Sequence, residues 1–134
     1  MSTRFDTARA RFQAAHTRLG EALAQPEDDL VRDALIQRFE FTFELGWKAM
    51  QAYLHALGTS VGAPRQAIRE CVAVGLLDAP GAEAWLAMLD ARNLTSHTYR
   101  EEMAVEIAGA IRAAHAATLD AFAAALAALD PELP

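Results

Sequence analysis

Residues 36–54 read IQRFEFTFELGWKAMQAYL. With Leu35 before it and Leu57 after it, the stretch carries Leu35, Phe39, Phe43, Trp47, Met50, Leu54 and Leu57 at three- and four-residue steps. That spacing is the period of an α-helix with one apolar stripe. Phe41 and Leu45 fall on other faces, so more than one side of this helix is apolar. Such a helix packs against more than one neighbour, and one two-sided helix from about Asp28 to Leu57 implies a bundle around it.

The flanks agree. Before it, Phe5, Ala8, Phe12, Ala15, Leu19 and Leu23 make a stripe on a helix from Thr3 to Ala24. Gln25-Pro26-Glu27-Asp28 is a turn, in which Pro26 ends one helix and the acids open the next. After it, Gly58 is a C′ residue and Thr59 to Ala63 a loop. Pro64 starts a short helix that Gly75 stops near Val74. Pro80-Gly81 reads as a second turn, followed by a helix carrying Trp85, Leu86 and Leu89. A last helix from Arg100 to Leu129 shows Met103, Ile107, Ala110, Ile111, Ala114, Phe122, Leu126 and Leu129. No segment alternates like a strand, and no internal repeat is visible. The expected fold is all-α: an antiparallel up-and-down four-helix bundle with an extra short helix, in one domain over residues 1–134.

Composition narrows the function classes. The 134 residues are 53% hydrophobic and 22% charged, which is globular usage. No apolar run reaches the roughly 18 residues that span a bilayer, and the N-terminus has no apolar signal core, so a cytoplasmic protein is expected. Cys71 is the only cysteine and reads as a small buried hydrophobe. The net charge of −6 argues against a general DNA-coating protein. Yet every cation except Lys48 is Arg, the side chain suited to gripping phosphate with two parallel bonds.

Residues 91–100, ARNLTSHTYR, break the Ala/Leu pattern. On one straight helix Arg92 and His97 would point about 140° apart. Asn93, Thr95, Ser96 and Thr98 compete for backbone hydrogen bonds, and Thr98 with Glu101 has capping-box spacing. A turn near Ser96–Thr98 is therefore expected. Arg92 would end one helix, and His97 and Tyr99 would open the next, whose free N–H groups suit an anion. Arg, His and a helix N-terminus read as a phosphate site; equally, these residues could simply cap two helices. Glu40, Glu44 and Lys48 read as a solvated face in which Glu44 pairs with Lys48, or as a partner surface. Trp47 and Trp85 read as core or interface anchors. Arg65 and Arg69, one turn apart, read as surface or as an extension of the phosphate site. His16, His55 and His115 read as ordinary surface or boundary residues. His97 and Glu101 lack a third metal ligand, so no metal or other cofactor is expected.

The motif RNLTSHTY resembles the Arg-x4-His-x-Tyr signature of the HEPN superfamily (higher eukaryotes and prokaryotes nucleotide-binding domains). IQRFEFTFELGWKAMQAYL, PRQAIRECVAVGLL and AWLAMLDARN resemble one branch of it, the nucleotidyltransferase substrate-binding proteins related to HepT-type toxins. Gly46 stands where that pattern leads one to expect Ala or Ser, with little expected effect on packing. The resemblance implies a homodimer, a small nucleotidyltransferase as partner and, in toxin members, a metal-independent ribonuclease acting on an RNA substrate in the dimer cleft. Carried over, Arg92 and His97 would be catalytic, Tyr99 the hydroxyl that the partner modifies with AMP, and Asn93, Ser96 and Arg100 substrate contacts. A dimer would also supply the second histidine that a general acid and a general base together need. From the residues, the second apolar face of the long helix points to a dimer as well. Two readings of function stand side by side: a ribonuclease toxin, and a non-catalytic subunit that presents a nucleotide or substrate to a nucleotidyltransferase.

Overall fold

The computed structural model describes residues 3–95 and 100–129. Among them there are helices and turns and no strand: α1 (Arg4–Leu23), α2 (Asp29–Ala56), α3 (Pro64–Ala73), α4 (Ala79–Thr95), α5 (Glu101–Ala110), a π-helical turn (Ile111–His115) and α6 (Ala116–Ala127). The helix ends follow their local chemistry. Thr3 and Asp6 close a capping box on α1, and the Asp28 carboxylate accepts from the Val31 N–H at 2.8 Å to open α2. Gly58 and Gly75 adopt positive φ, 93° and 82°. There the N–H groups of Thr59 and Leu76 reach back to the carbonyls of Leu54 and Cys71, closing two Schellman ends.

The turn at residues 24–28 folds α2 back along α1. α2 then packs against α3, α4 and α5 as well, while α6 lies against α1 and α4. Much of α2 is thus covered within the chain, while Phe41 and Leu45, which mark its second apolar face, are half-buried. Aromatic rings from four helices meet in the centre. Trp85 of α4 lies edge-on to Phe122 of α6 at 4.9 Å and tilted on Phe43 of α2 at 5.5 Å, while Phe12 of α1 meets Phe122 at 5.2 Å. Cys71 is buried with them, and burial pushes its thiol up to about 12.

Three readings change. First, Pro80-Gly81 is not a turn but the first turn of α4. The Asp78 carboxylate accepts from the Gly81 N–H at 2.7 Å, and a proline costs little there because its missing N–H would be unbonded anyway. Second, the last helix is not α-helical throughout. Ile107, Ile111, His115 and Leu119 repeat every four residues and are all buried. In a regular α-helix each four-residue step drifts by about 40°. The wider π turn absorbs that drift and keeps these residues inward. It turns Ala114 out to solvent, where the sequence placed it in the stripe. Third, His115 is not a surface residue: it is 8% exposed and stacks on Phe39 with ring centroids 5.3 Å apart. The neighbouring Arg112 donates to the Leu23 carbonyl at 3.0 Å and to Glu27 at 2.9 Å, tying the π turn to the α1–α2 turn. That bond to Glu27 is the main reason its carboxyl is held below the ordinary range.

Gly46 also matters more than its place in the sequence suggested. A Cβ there would stand 2.6 Å from Cη2 of the fully buried Trp85. Gly46→Ala gains about 1 kcal/mol of helix propensity. The clash should outweigh this, since overpacking of a tight core costs about 1–3 kcal/mol. The expected outcome is a lower denaturant midpoint; a midpoint raised above wild type would show the contact to be soft.

His115 generates a second expectation. Its burial disfavours the charged ring, so its folded pKa lies below the ordinary value of 6.5. The unfolded chain then takes up the proton first. Stability is present in full above that ordinary value and is lost as pH falls through it toward the folded pKa. Chemical denaturation from pH 8 to pH 5 should show this loss, and His115→Gln should flatten it.

Candidate functional site

The described residues on either side of the expected turn belong to two helices. α4 ends at Thr95 and α5 begins at Glu101, so Arg92 lies in the last turn of one helix and Arg100 in the cap position of the next. Ser96, His97 and Tyr99, and the expected cap Thr98, lie outside the described residues. The described cap of α5 is Arg100, an extended residue that makes no side-chain cap bond. Glu101 and Glu102 fill the first turn instead, where carboxylates are favoured by the helix dipole.

Arg92 is fixed from an unexpected side. Its Nη2 donates to Oε2 of Glu44 on α2 at 2.8 Å, while Nη1 lies 3.4 Å from Oδ1 of Asn93. The Thr95 hydroxyl donates to the Arg92 carbonyl at 2.7 Å, satisfying one acceptor of the helix end. Arg92 and Glu44 are 36% and 37% exposed, so the ion pair sits at the surface, within reach of an incoming anion. Lys48, the partner the sequence suggested for Glu44, instead places its ammonium 4.4 Å from the Trp47 ring. Sequence spacing could not find Glu44: its partner is 48 residues away, and the only local signal was a carboxylate inside an aromatic-rich helix.

The arrangement offers a permanent guanidinium fork whose fixed neighbour is one carboxylate. A phosphate with two free oxygens can take that carboxylate's place. Asn93 and Arg100 are exposed beside it in sequence. Glu44 also forms one end of a groove between α1 and α2 that Arg4, Arg11 and Lys48 line. His16 meets Asp120 at 2.7 Å across α1 and α6, His55 is exposed, and neither joins the Arg92 neighbourhood. Among the described residues no three His, Cys, Asp or Glu side chains are grouped to hold a metal, and no helix is long and apolar enough to cross a membrane.

The sequence profile of the family described as "Nucleotidyltransferase substrate binding protein like" matches residues 4–128. A Haemophilus influenzae protein named "Probable ribonuclease HepT" is 38% identical over 86 residues, a match covering 60% of this chain and 57% of that protein. The chain thus spans little more than half the length of that relative. A crystallised protein of Thermus thermophilus is 38% identical and superposes with a TM-score of 0.78 over 86% of this chain and 98% of its own. The tri-AMPylated HEPN toxin of Shewanella oneidensis, solved in complex with its MNT antitoxin, is 15% identical. It superposes at 0.77 over 96% of this chain and all of that one, which shows a shared fold.

An exposed ion pair adds little to stability. A double-substitution cycle of Arg92→Ala and Glu44→Ala should give a coupling of less than about 1 kcal/mol in denaturant unfolding. A coupling of several kcal/mol would make the pair structural and remove it from the candidate site.

Proposed function

The chain belongs to the nucleotidyltransferase substrate binding protein like family, as a HepT-like member of the HEPN superfamily, and from that premise we propose that it is the ribonuclease toxin of a toxin–antitoxin pair. The observation that carries this reading is the half-exposed Arg92 fork, held ready by Glu44 at the end of α4, five residues before His97 in the sequence. The name of the Haemophilus relative supports a ribonuclease, and the Shewanella complex supports a nucleotidyltransferase as the restraining partner.

The chemistry uses the substrate's own nucleophile. The RNA 2′-oxygen attacks the adjacent phosphorus as its proton passes to a base, and the bond to the 5′-oxygen breaks as an acid protonates that oxygen. Histidine can serve in either role near neutral pH. Arg92 would leave Glu44 for the phosphate and balance charge on its equatorial oxygens. No step needs a metal. One His97 cannot serve as both acid and base in a single step, so the site is completed by a second chain in a two-fold dimer. Leu94 and Val105 support that assembly: they are 54% and 48% exposed on the two helices that flank the break. Asn93, Ser96 and Arg100 then contact the strand. Restraint comes by AMP transfer. The Tyr99 oxygen attacks the α-phosphorus of ATP on the partner, its proton passes to solvent and pyrophosphate leaves. The new phosphodiester pairs with Arg92 and the nucleoside fills the cleft.

A non-catalytic subunit that presents substrate to the nucleotidyltransferase is the second reading. The net charge of −6 and the existing neutralisation of Arg92 by Glu44 favour it.

Purified protein should cleave RNA in the presence of a chelator. Arg92→Ala and His97→Ala should each lower the rate by at least about 100-fold, the usual worth of one charge-stabilising donor and of a general acid–base group respectively, with unchanged thermal unfolding. Co-expression with the partner should add AMP masses to the peptide containing Tyr99. Cleavage that survives His97→Ala would falsify the assignment. A protein that never cleaves but binds nucleotide would establish the second reading.

A further inference from the structure

Some cations of this chain are held by internal bonds and others are not. Arg9, Arg32, Arg38 and Arg112 are committed to internal bonds. Arg9 donates to the carbonyls of Leu126 and Leu129, Arg38 to that of Arg18 and Arg112 to that of Leu23, while Arg32 is held by Glu27 and Asp29. Arg4 and Arg11 have no such bond among the described residues. Among the described residues Lys48 has only the face of Trp47. These three uncommitted, exposed cations line one groove of about 490 Å³ between α1 and α2, together with Thr7, Gln51 and Glu44. Its one carboxylate, Glu44, is already engaged by Arg92. In a protein of net charge −6, the groove is a local positive strip that ends at the candidate site.

We propose that this groove is a binding track for the phosphate backbone of a single RNA strand, leading it to Arg92. The argument for a strand is one of length. Arg4 and Arg11 lie seven residues apart on the same face of α1, a rise of about 10 Å. A chain of phosphates bridges that distance and a single phosphate does not. Ala8 and Leu45 also line the groove and give the strand's sugars and bases an apolar surface. A positively charged groove that tracks the backbone is the electrostatic part of single-strand recognition. The inference deepens the ribonuclease reading by giving that site its substrate path, and it rests on that reading for the choice of RNA.

The test uses the intact protein and a 2′-O-methyl RNA strand of about 20 nucleotides, which cannot be cleaved because its nucleophile is blocked. Binding is followed by fluorescence anisotropy from about 50 to 200 mM salt. Replacing Arg4, Arg11 and Lys48 together by Gln should weaken binding by at least about 10-fold at low salt and flatten the log–log salt slope by about 2, the share of three phosphate contacts. Arg65→Gln with Arg69→Gln, on α3, removes charge elsewhere and should change binding by less than about 3-fold. The substituted side chains are all exposed, so circular dichroism should show every variant folded.

Equal weakening by the two sets, or no binding of the strand by wild type, would overturn the track. So would groove variants that keep RNA binding and lose only association with an acidic protein partner. A parallel cleavage assay on the unmodified strand separates this proposal from the one it rests on. Groove-dependent binding without cleavage keeps the track and removes the ribonuclease. Cleavage with groove-independent binding does the reverse.

Discussion

The close approach of Trp85 to Gly46 sets the spacing on which the rest of the bundle depends. Trp85 is wholly buried, and its six-membered ring lies over the backbone of α2 at the one position where no side chain intervenes. Phe12, Phe43 and Phe122 meet around it, so α1, α2, α4 and α6 share a single aromatic centre. Arg92 follows Trp85 by seven residues, two turns along the same face of α4. The depth at which the indole seats against α2 therefore decides whether the guanidinium reaches Glu44. Core packing and candidate chemistry are joined by one rigid helix.

This explains what the sequence could and could not tell. The class of fold was legible because its signal is periodic: Phe5, Phe12, Ala15 and Leu19 of the first stripe, and Leu35, Phe39, Phe43, Trp47, Met50 and Leu54 of the second, are buried as spaced. Helix ends were legible where a single residue dictates them, as at Asp28, Gly58 and Gly75. Pro80-Gly81 misled because the same pair suits a turn and a helix start, and only the Asp78 carboxylate decides between them. His115 misled because a histidine carries no sign of which face it occupies once the helix changes its period. The consequence of Gly46 was hidden because the clash is with a residue 39 positions away, which no local rule reaches.

The candidate site divides along the same line. The motif in ARNLTSHTYR reads as a helix break, and the described helices on its two sides are α4, as far as Thr95, and α5, from Glu101. The partner of Arg92 came from a distant helix and could only be read from tertiary structure. So could the sorting of arginines into those that close helix ends and those left at the surface. Composition counts charges; it does not say which are already spent on carbonyls.

The π turn has a consequence for how this chain is set beside its relatives. It works as one extra residue within a helix, so the register of α5, which follows the candidate site, is offset from that of α6. A homologue whose last helix is α-helical throughout lacks that extra residue. An alignment carried through the helix without a gap would pair buried positions with exposed ones on one side of Ile111–His115. It would set Ala114 against a core residue and His115 against a solvent-facing one. Residue equivalence near the motif must therefore be anchored on α4 and α5, and equivalence in the aromatic centre anchored separately on Leu119 and Phe122.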